Sequence, residues 1–147
     1  MLAVILPGGS SGGVTGEVRL RGDIDDATAA TPVVRNTFAM RVVVADPEIG
    51  LDDGAGVLSV TFSVSDPQGN VVYEITEVNP AYCLSGGNNP GCDLIDISSG
   101  GSWPEGAPVS YGIHQINMQI IATGSNADGS ERGAFWFIFV DLQPPVP

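Results

Sequence analysis

Two cysteines, a single histidine and 17 carboxylates are the side chains here whose types and spacing could do chemistry. Cys83 and Cys92 bracket a turn-rich loop, Leu84-Ser85-Gly86-Gly87-Asn88-Asn89-Pro90-Gly91. An even count around so short a polar loop reads as a disulfide, which places the protein outside a reducing cytosol, secreted or at a cell surface. Closing that loop is worth roughly 2–3 kcal/mol in the chain-entropy account. Two free buried thiols are the competing reading. A zinc site would need two further ligands, and His114 is the only histidine. Strand parity sets His114 beside Ile116 and Met118, the setting of a hydrogen-bonded core histidine rather than a base. There is no nucleophile elbow. Carboxylate pairs for glycoside hydrolysis could be drawn from Glu74, Glu77 and Glu105, but nothing separates them from surface charge. No catalytic residue is assigned, and a non-enzymatic role is expected.

Two acidic groups carry the oxygen ligands that calcium takes: Asp23, Asp25 and Asp26 in one loop, and Asp46, Glu48, Asp52 and Asp53 in another. Neither follows EF-hand spacing, so solvated turn carboxylates are the plainer reading and no other cofactor is expected. Tyr73, Tyr82, Trp103 and Tyr111 could together stack on sugar rings. Trp103-Pro104 near Tyr82 and the cysteine loop reads more readily as a local core.

Composition narrows the partners. The chain has 147 residues and a formal charge of −12, with five arginines and no lysine. It therefore offers no P-loop or Schiff-base lysine and no basic stripe, and nucleic acid is excluded as a partner. Charged residues make up 15% against about 25% in an average domain, while 43% are hydrophobic. Such a chain has a large core or covers its outside with neighbours. The length suits one domain, and no run approaches a membrane span.

Alternation, not helical periodicity, organises these residues. In 57–65, Leu58, Val60, Phe62 and Val64 fall on one face and Ser59, Thr61, Ser63 and Ser65 on the other. Asp66-Pro67-Gln68-Gly69-Asn70 supplies turn chemistry, and extended structure resumes at 71–77, giving a hairpin over 57–77. Further strands are expected at 15–21 (Val18, Leu20), 37–45 (Phe38, Met40, Val42, Val44), 113–123 (Ile116, Met118, Ile120) and 134–140. Residues 124–133 form a loop with a hairpin-type Asp128-Gly129. About seven short strands predict an all-β Greek-key sandwich over residues 14–141. Residues 1–13 precede it as an N-terminal extension, and 142–147 follow it as a Pro-rich tail.

Several features resemble bacterial immunoglobulin-like modules: Asp46-Pro47 closing one strand, Gly54-Ala55-Gly56 opening the next, the Asp66–Asn70 turn, and Asp128-Gly129 before the last strand. The resemblance covers about residues 35–141. It implies an immunoglobulin-like sandwich with an extracellular binding or structural role. The chain departs from antibody domains in that both cysteines sit in one loop rather than bridging two sheets.

Two features exceed a plain sandwich. In 134–140, Phe135, Phe137 and Phe139 fill one face and Trp136, Ile138 and Val140 the other, so the outer face needs a cover. The loop 78–110 or a neighbouring subunit could supply it. The second feature is the apolar opening Met1–Leu6, followed by Pro7 and a Gly/Ser leash. It lacks the basic start of a signal peptide and is too short for one. Either a signal lies upstream or the segment belongs to the working protein. Leu2, Val4, Ile5 and Leu6 could pair as a strand within their own domain, or could complete a neighbour's sheet in the strand-addition mode of pilus subunits, with 135–140 as the receiving groove. Donor and acceptor surfaces differ, so such contacts run head to tail into a filament. The expected function is thus an extracellular structural protein that polymerises with itself. A carbohydrate- or ligand-binding module of a larger surface protein, binding surface glycans, is the alternative.

Overall fold

A computed structural model of the chain describes residues 2–5, 10–11, 14–25, 29–98, 100–125 and 131–145. Among these residues there is no helix, and the fold is all-β. Ten strands, more than the seven expected, join one curled mixed sheet. They are β1 (Leu2–Ile5), β2 (Ser10–Ser11), β3 (Thr15–Asp25), β4 (Val33–Ala45) and β5 (Val57–Ser65), then β6 (Val71–Glu77), β7 (Tyr82–Cys83), β8 (Ile95–Asp96), β9 (Gly112–Ser125) and β10 (Glu131–Leu142). The path runs β1-β3-β4-β10-β9-β5-β6; β2 pairs with β10, and β7 and β8 pair with β4. The mixed character comes from the β4–β10 pair, which is parallel and confined to Val33 and Val34 opposite Asp141 and Leu142. All other strand pairs are antiparallel.

Curling brings the apolar faces of β3–β4 and of β10–β9–β5 onto one core. Val18 and Leu20 from β3, Phe38, Met40, Val42 and Val44 from β4, and Val60, Phe62 and Val64 from β5 are all buried there. Ile116, Met118 and Ile120 of β9 and Trp136, Val140 and Leu142 of β10 complete it. The period-2 alternation thus fixes which side chains turn inward, because a pleated strand sends neighbours to opposite faces. Leu58 breaks the expectation: it is 55% exposed. A bulge between Val57 and Ser59 in the β5–β9 pairing inserts one residue and turns Leu58 outward.

The β5–β6 hairpin closes as its turn chemistry requires. Asp66 Oδ1 accepts the backbone N–H groups of Gln68 and Asn70, at 3.0 and 2.9 Å. Gly69 takes φ 86°, a conformation costly to residues with a Cβ. The sequence-based turn at Asp128-Gly129 lies outside the described residues. β10 itself runs through Leu142, which is fully buried.

The connection from β6 to β9 carries the chemistry expected of the cysteines. Cys83 and Cys92 form a disulfide with Cα atoms 5.5 Å apart. The loop it closes lies over the outward side of β4, where Ala39 packs with Ala81 and both cysteines. Arg21 donates from Nε to the Gly91 carbonyl at 2.8 Å and from Nη2 to that of Cys92. Arg41 donates to the Pro90 carbonyl at 3.0 Å and to Asp53 Oδ2 at 2.8 Å. Further along, Trp103 is buried in the core, stacked on Tyr73 at 5.9 Å and set edge-on to Phe38 at 6.4 Å. The segment 78–110 therefore closes β4 and the core. It does not cover the outer face of β10, one of the two covers the sequence offered for that face.

Candidate functional site

β10 is the strand whose sequence demanded an explanation. Trp136 and Val140 point into the core at 5% and 0% exposure, while Phe135, Phe137 and Phe139 point outward at 53%, 46% and 38%. Phe137 and Phe139 touch edge to face, centroids 5.6 Å apart. Trp136 lies where β3 crosses it: a Cβ on Gly16 would come within 2.7 Å of the Trp136 ring, so glycine is what admits the indole there.

Along one edge β10 pairs with β9 over its whole length. The other edge is paired only at its ends, by Ser10–Ser11 against Gly133–Ala134 and by β4 at Asp141–Leu142. Among the described residues no strand lies along Phe135–Val140 on that side. Backbone direction can be read from the flank. Asp141 N–H donates to the Pro32 carbonyl at 2.8 Å and Gln143 N–H to that of Val34 at 3.0 Å. Because strand N–H and C=O groups alternate sides, those of Phe139, Phe137 and Phe135 face the same open edge. This is the unpaired hydrogen-bonding row that makes an edge strand a template for another chain.

The apolar N-terminal residues also form a strand. Leu2, Ala3, Val4 and Ile5 pair with Leu20, Arg19, Val18 and Glu17 on the free edge of β3 in the same chain. Leu6 lies outside the described residues. The proposed donor segment and the proposed groove, 135–140, are thus on different edges of one subunit's sheet.

The remaining sequence candidates separate into structural roles. Asp46 is fully buried, its Oδ2 2.6 Å from Arg132 Nη1, and its Oδ1 accepts the Glu48 N–H. Asp53 accepts from Arg41 and from the Val44 N–H at 3.0 Å. Asp25 pairs with Arg35 at 3.1 Å, Asp23 and Asp52 are exposed, and Asp26 lies outside the described residues. Among the described residues no three His, Cys, Asp or Glu side chains converge as metal ligands would. His114 is buried in the core, 2.9 Å through Nδ1 from the Gly112 carbonyl, which accepts from it.

The aromatic platform suggested by sequence does not form. Tyr73, Tyr82 and Trp103 are 3%, 0% and 1% exposed, and only Tyr111 reaches solvent. Tyr73 donates to the Leu84 carbonyl at 2.7 Å. Burial first, then the charges of Glu105 and Glu77, push its phenol up to about 12. Burial and the Asp53 charge raise Tyr82 to about 12 as well. The exposed aromatic row is Phe135, Phe137 and Phe139 instead; the missed signal was the Gln115, Asn117 and Gln119 alternation beside it.

These features define an all-β protein with one disulfide. No protein-family model matches the chain, and none of the curated proteins matches it in sequence. Among the described residues no helix is long and apolar enough to cross a membrane.

Proposed function

We propose that the protein is an extracellular, immunoglobulin-like β-sandwich subunit that polymerises head to tail, without enzymatic activity. Residues 2–6 of one copy add as a strand beside Phe135–Val140 of the next. The observation that carries this reading is the open edge of β10, where three residues direct N–H and C=O groups at no partner strand among the described residues. Each main-chain bond gained there is worth about 1 kcal/mol net, and apolar donor side chains would pack beside the phenylalanine row. The donor is the four-residue strand held on the rim of β3. Leaving its own subunit breaks the β1–β3 ladder and the pairing of Ser10–Ser11 with β10. The disulfide supports a location outside the cytosol.

Negative-stain microscopy and light scattering of the full chain and of a chain lacking residues 1–13 test this. The full chain is expected to form concentration-dependent filaments and the shortened chain to stay monomeric. A full chain that remains monomeric at high concentration, or filaments that persist without residues 1–13, ends the proposal.

A further inference from the structure

The outer face of β10, β9 and β5 is a repeat written across three strands. Phe139 stands opposite Gln115, which stands opposite Ser65. The next rung is Phe137, Asn117 and Ser63, and the one after it Phe135, Gln119 and Thr61. Each rung therefore offers one aromatic ring, one amide and one hydroxyl, in that order. Rungs recur about every 6.8 Å along the strands, and neighbouring columns lie about 4.8 Å apart. None of these nine side chains is buried.

Two observations point to a ligand. At the Phe139 end the ladder opens into a depression of about 510 Å³, lined by Ser65, Asp66, Pro67, Gly69, Ile113, Gln115 and Phe139. That volume falls within the range of ligand sites. The amides are also held ready: Gln115 Nε2 donates to Asn117 Oδ1 at 2.8 Å. This fixes both groups and leaves the Gln115 carbonyl and the Asn117 NH2 directed at no described protein group.

Charge then selects the class of ligand. No arginine stands on the ladder, Glu74 beside Ser63 is a carboxylate, and the chain carries −12. A polyanion is repelled and finds no cation to hold it. Thr61 already bonds the Thr76 hydroxyl at 2.9 Å, but an apolar protein surface would still strand the Gln115 carbonyl, the Asn117 NH2 and the Ser63 and Ser65 hydroxyls. What matches is an uncharged polymer whose every unit shows an apolar C–H face beside hydroxyl groups. We infer that this face binds a neutral polysaccharide, a hexose chain lying along the ladder with one end in the depression by Phe139. The site is independent of filament formation, because an added strand would lie beside β10 and leave its outer face open.

Affinity electrophoresis of the full chain through gels containing galactomannan, mixed-linkage β-glucan or β-1,3-glucan tests this, with polygalacturonate as the acidic comparison. Retardation is expected in at least one neutral gel and not in polygalacturonate. Phe137→Ala with Phe139→Ala, and separately Gln115→Ala with Asn117→Ala, should each weaken it by about tenfold. Leu51→Ala, at an 86% exposed residue away from the ladder, should leave it unchanged. Urea midpoints equal to the parent's show that the variants are folded. No retardation in any neutral gel, or equal retardation of the ladder variants, overturns the inference. So does a phenylalanine variant that changes only the chain's self-association.

Discussion

The outward side of β4 presents Ala39, 2% exposed, whereas the outward side of β10 presents Phe135, Phe137 and Phe139 at 53%, 46% and 38%. Both strands carry apolar residues on two faces, which a sheet wetted on one side does not ordinarily do. On β4 the second face is closed by the chain itself. A small side chain lets the Cys83–Cys92 loop settle onto the strand, and Arg21 and Arg41 hold that loop by its carbonyls. On β10 the second face is left to solvent, bordered by amides and hydroxyls and by an edge along which no strand lies among the described residues. A covered apolar face is architecture, and an uncovered one of the same length is a surface for something else.

The largest separation between the two faces should come from breaking the cover. Replacing both cysteines, Cys83→Ala with Cys92→Ala, is expected to cost about 2–3 kcal/mol, read as a lower urea midpoint. An unchanged midpoint would show that the loop rests on β4 without contributing. Next, Ala39→Leu puts a larger side chain under the loop and should cost about 1–2 kcal/mol by overpacking. A neutral result in thermal melts would mean the lobe yields easily, and the contrast with β10 would weaken.

Alkaline pH gives a smaller and graded effect. Tyr73 and Tyr82 ordinarily lose their protons at 10.0, but burial holds them up to about 12 in the fold. Between those values the unfolded chain has released protons that the folded chain retains. Stability is therefore full below pH 10 and declines as pH rises toward 12. Urea midpoints taken across that window, with tyrosinate absorbance, check the sign; a midpoint that rises would refute it. Smallest of all is Phe137→Ser on the uncovered face, which should shift stability by no more than about 0.5 kcal/mol. A loss of several times that would reveal a cover on β10 after all.

Much of the inward-facing pattern was legible in the residues. Phe38, Met40, Val42 and Val44, or Ile116, Met118 and Ile120, alternate so regularly that only one face could be core. The Asp66–Asn70 turn was equally legible, since its geometry is local. Leu58 was not, because a bulge depends on the register of the partner strand and leaves no mark in the alternation. Trp103, Tyr73 and Tyr82 stayed ambiguous for a related reason, although the local-core reading favoured for Trp103 and Tyr82 is the one that fits their burial. A lone aromatic side chain is equally suited to a core or a binding face, and only its neighbours decide which. The acidic groups behaved alike: Asp46 and Asp53 read as solvated turn carboxylates, yet arginines 86 and 12 residues distant pair with them.

The sequence by itself determined the six long strands, the short disulfide loop and the two-faced character of 134–140. Each follows from local facts: side-chain alternation, turn residues and the reach of a nine-residue separation. Tertiary structure alone decided which two-faced strand would be covered. It also set the three-rung ladder of ring, amide and hydroxyl, since Phe139, Gln115 and Ser65 become neighbours only through cross-strand register. Register is a property of pairs of strands, fixed by the core they jointly enclose, and no single segment carries it.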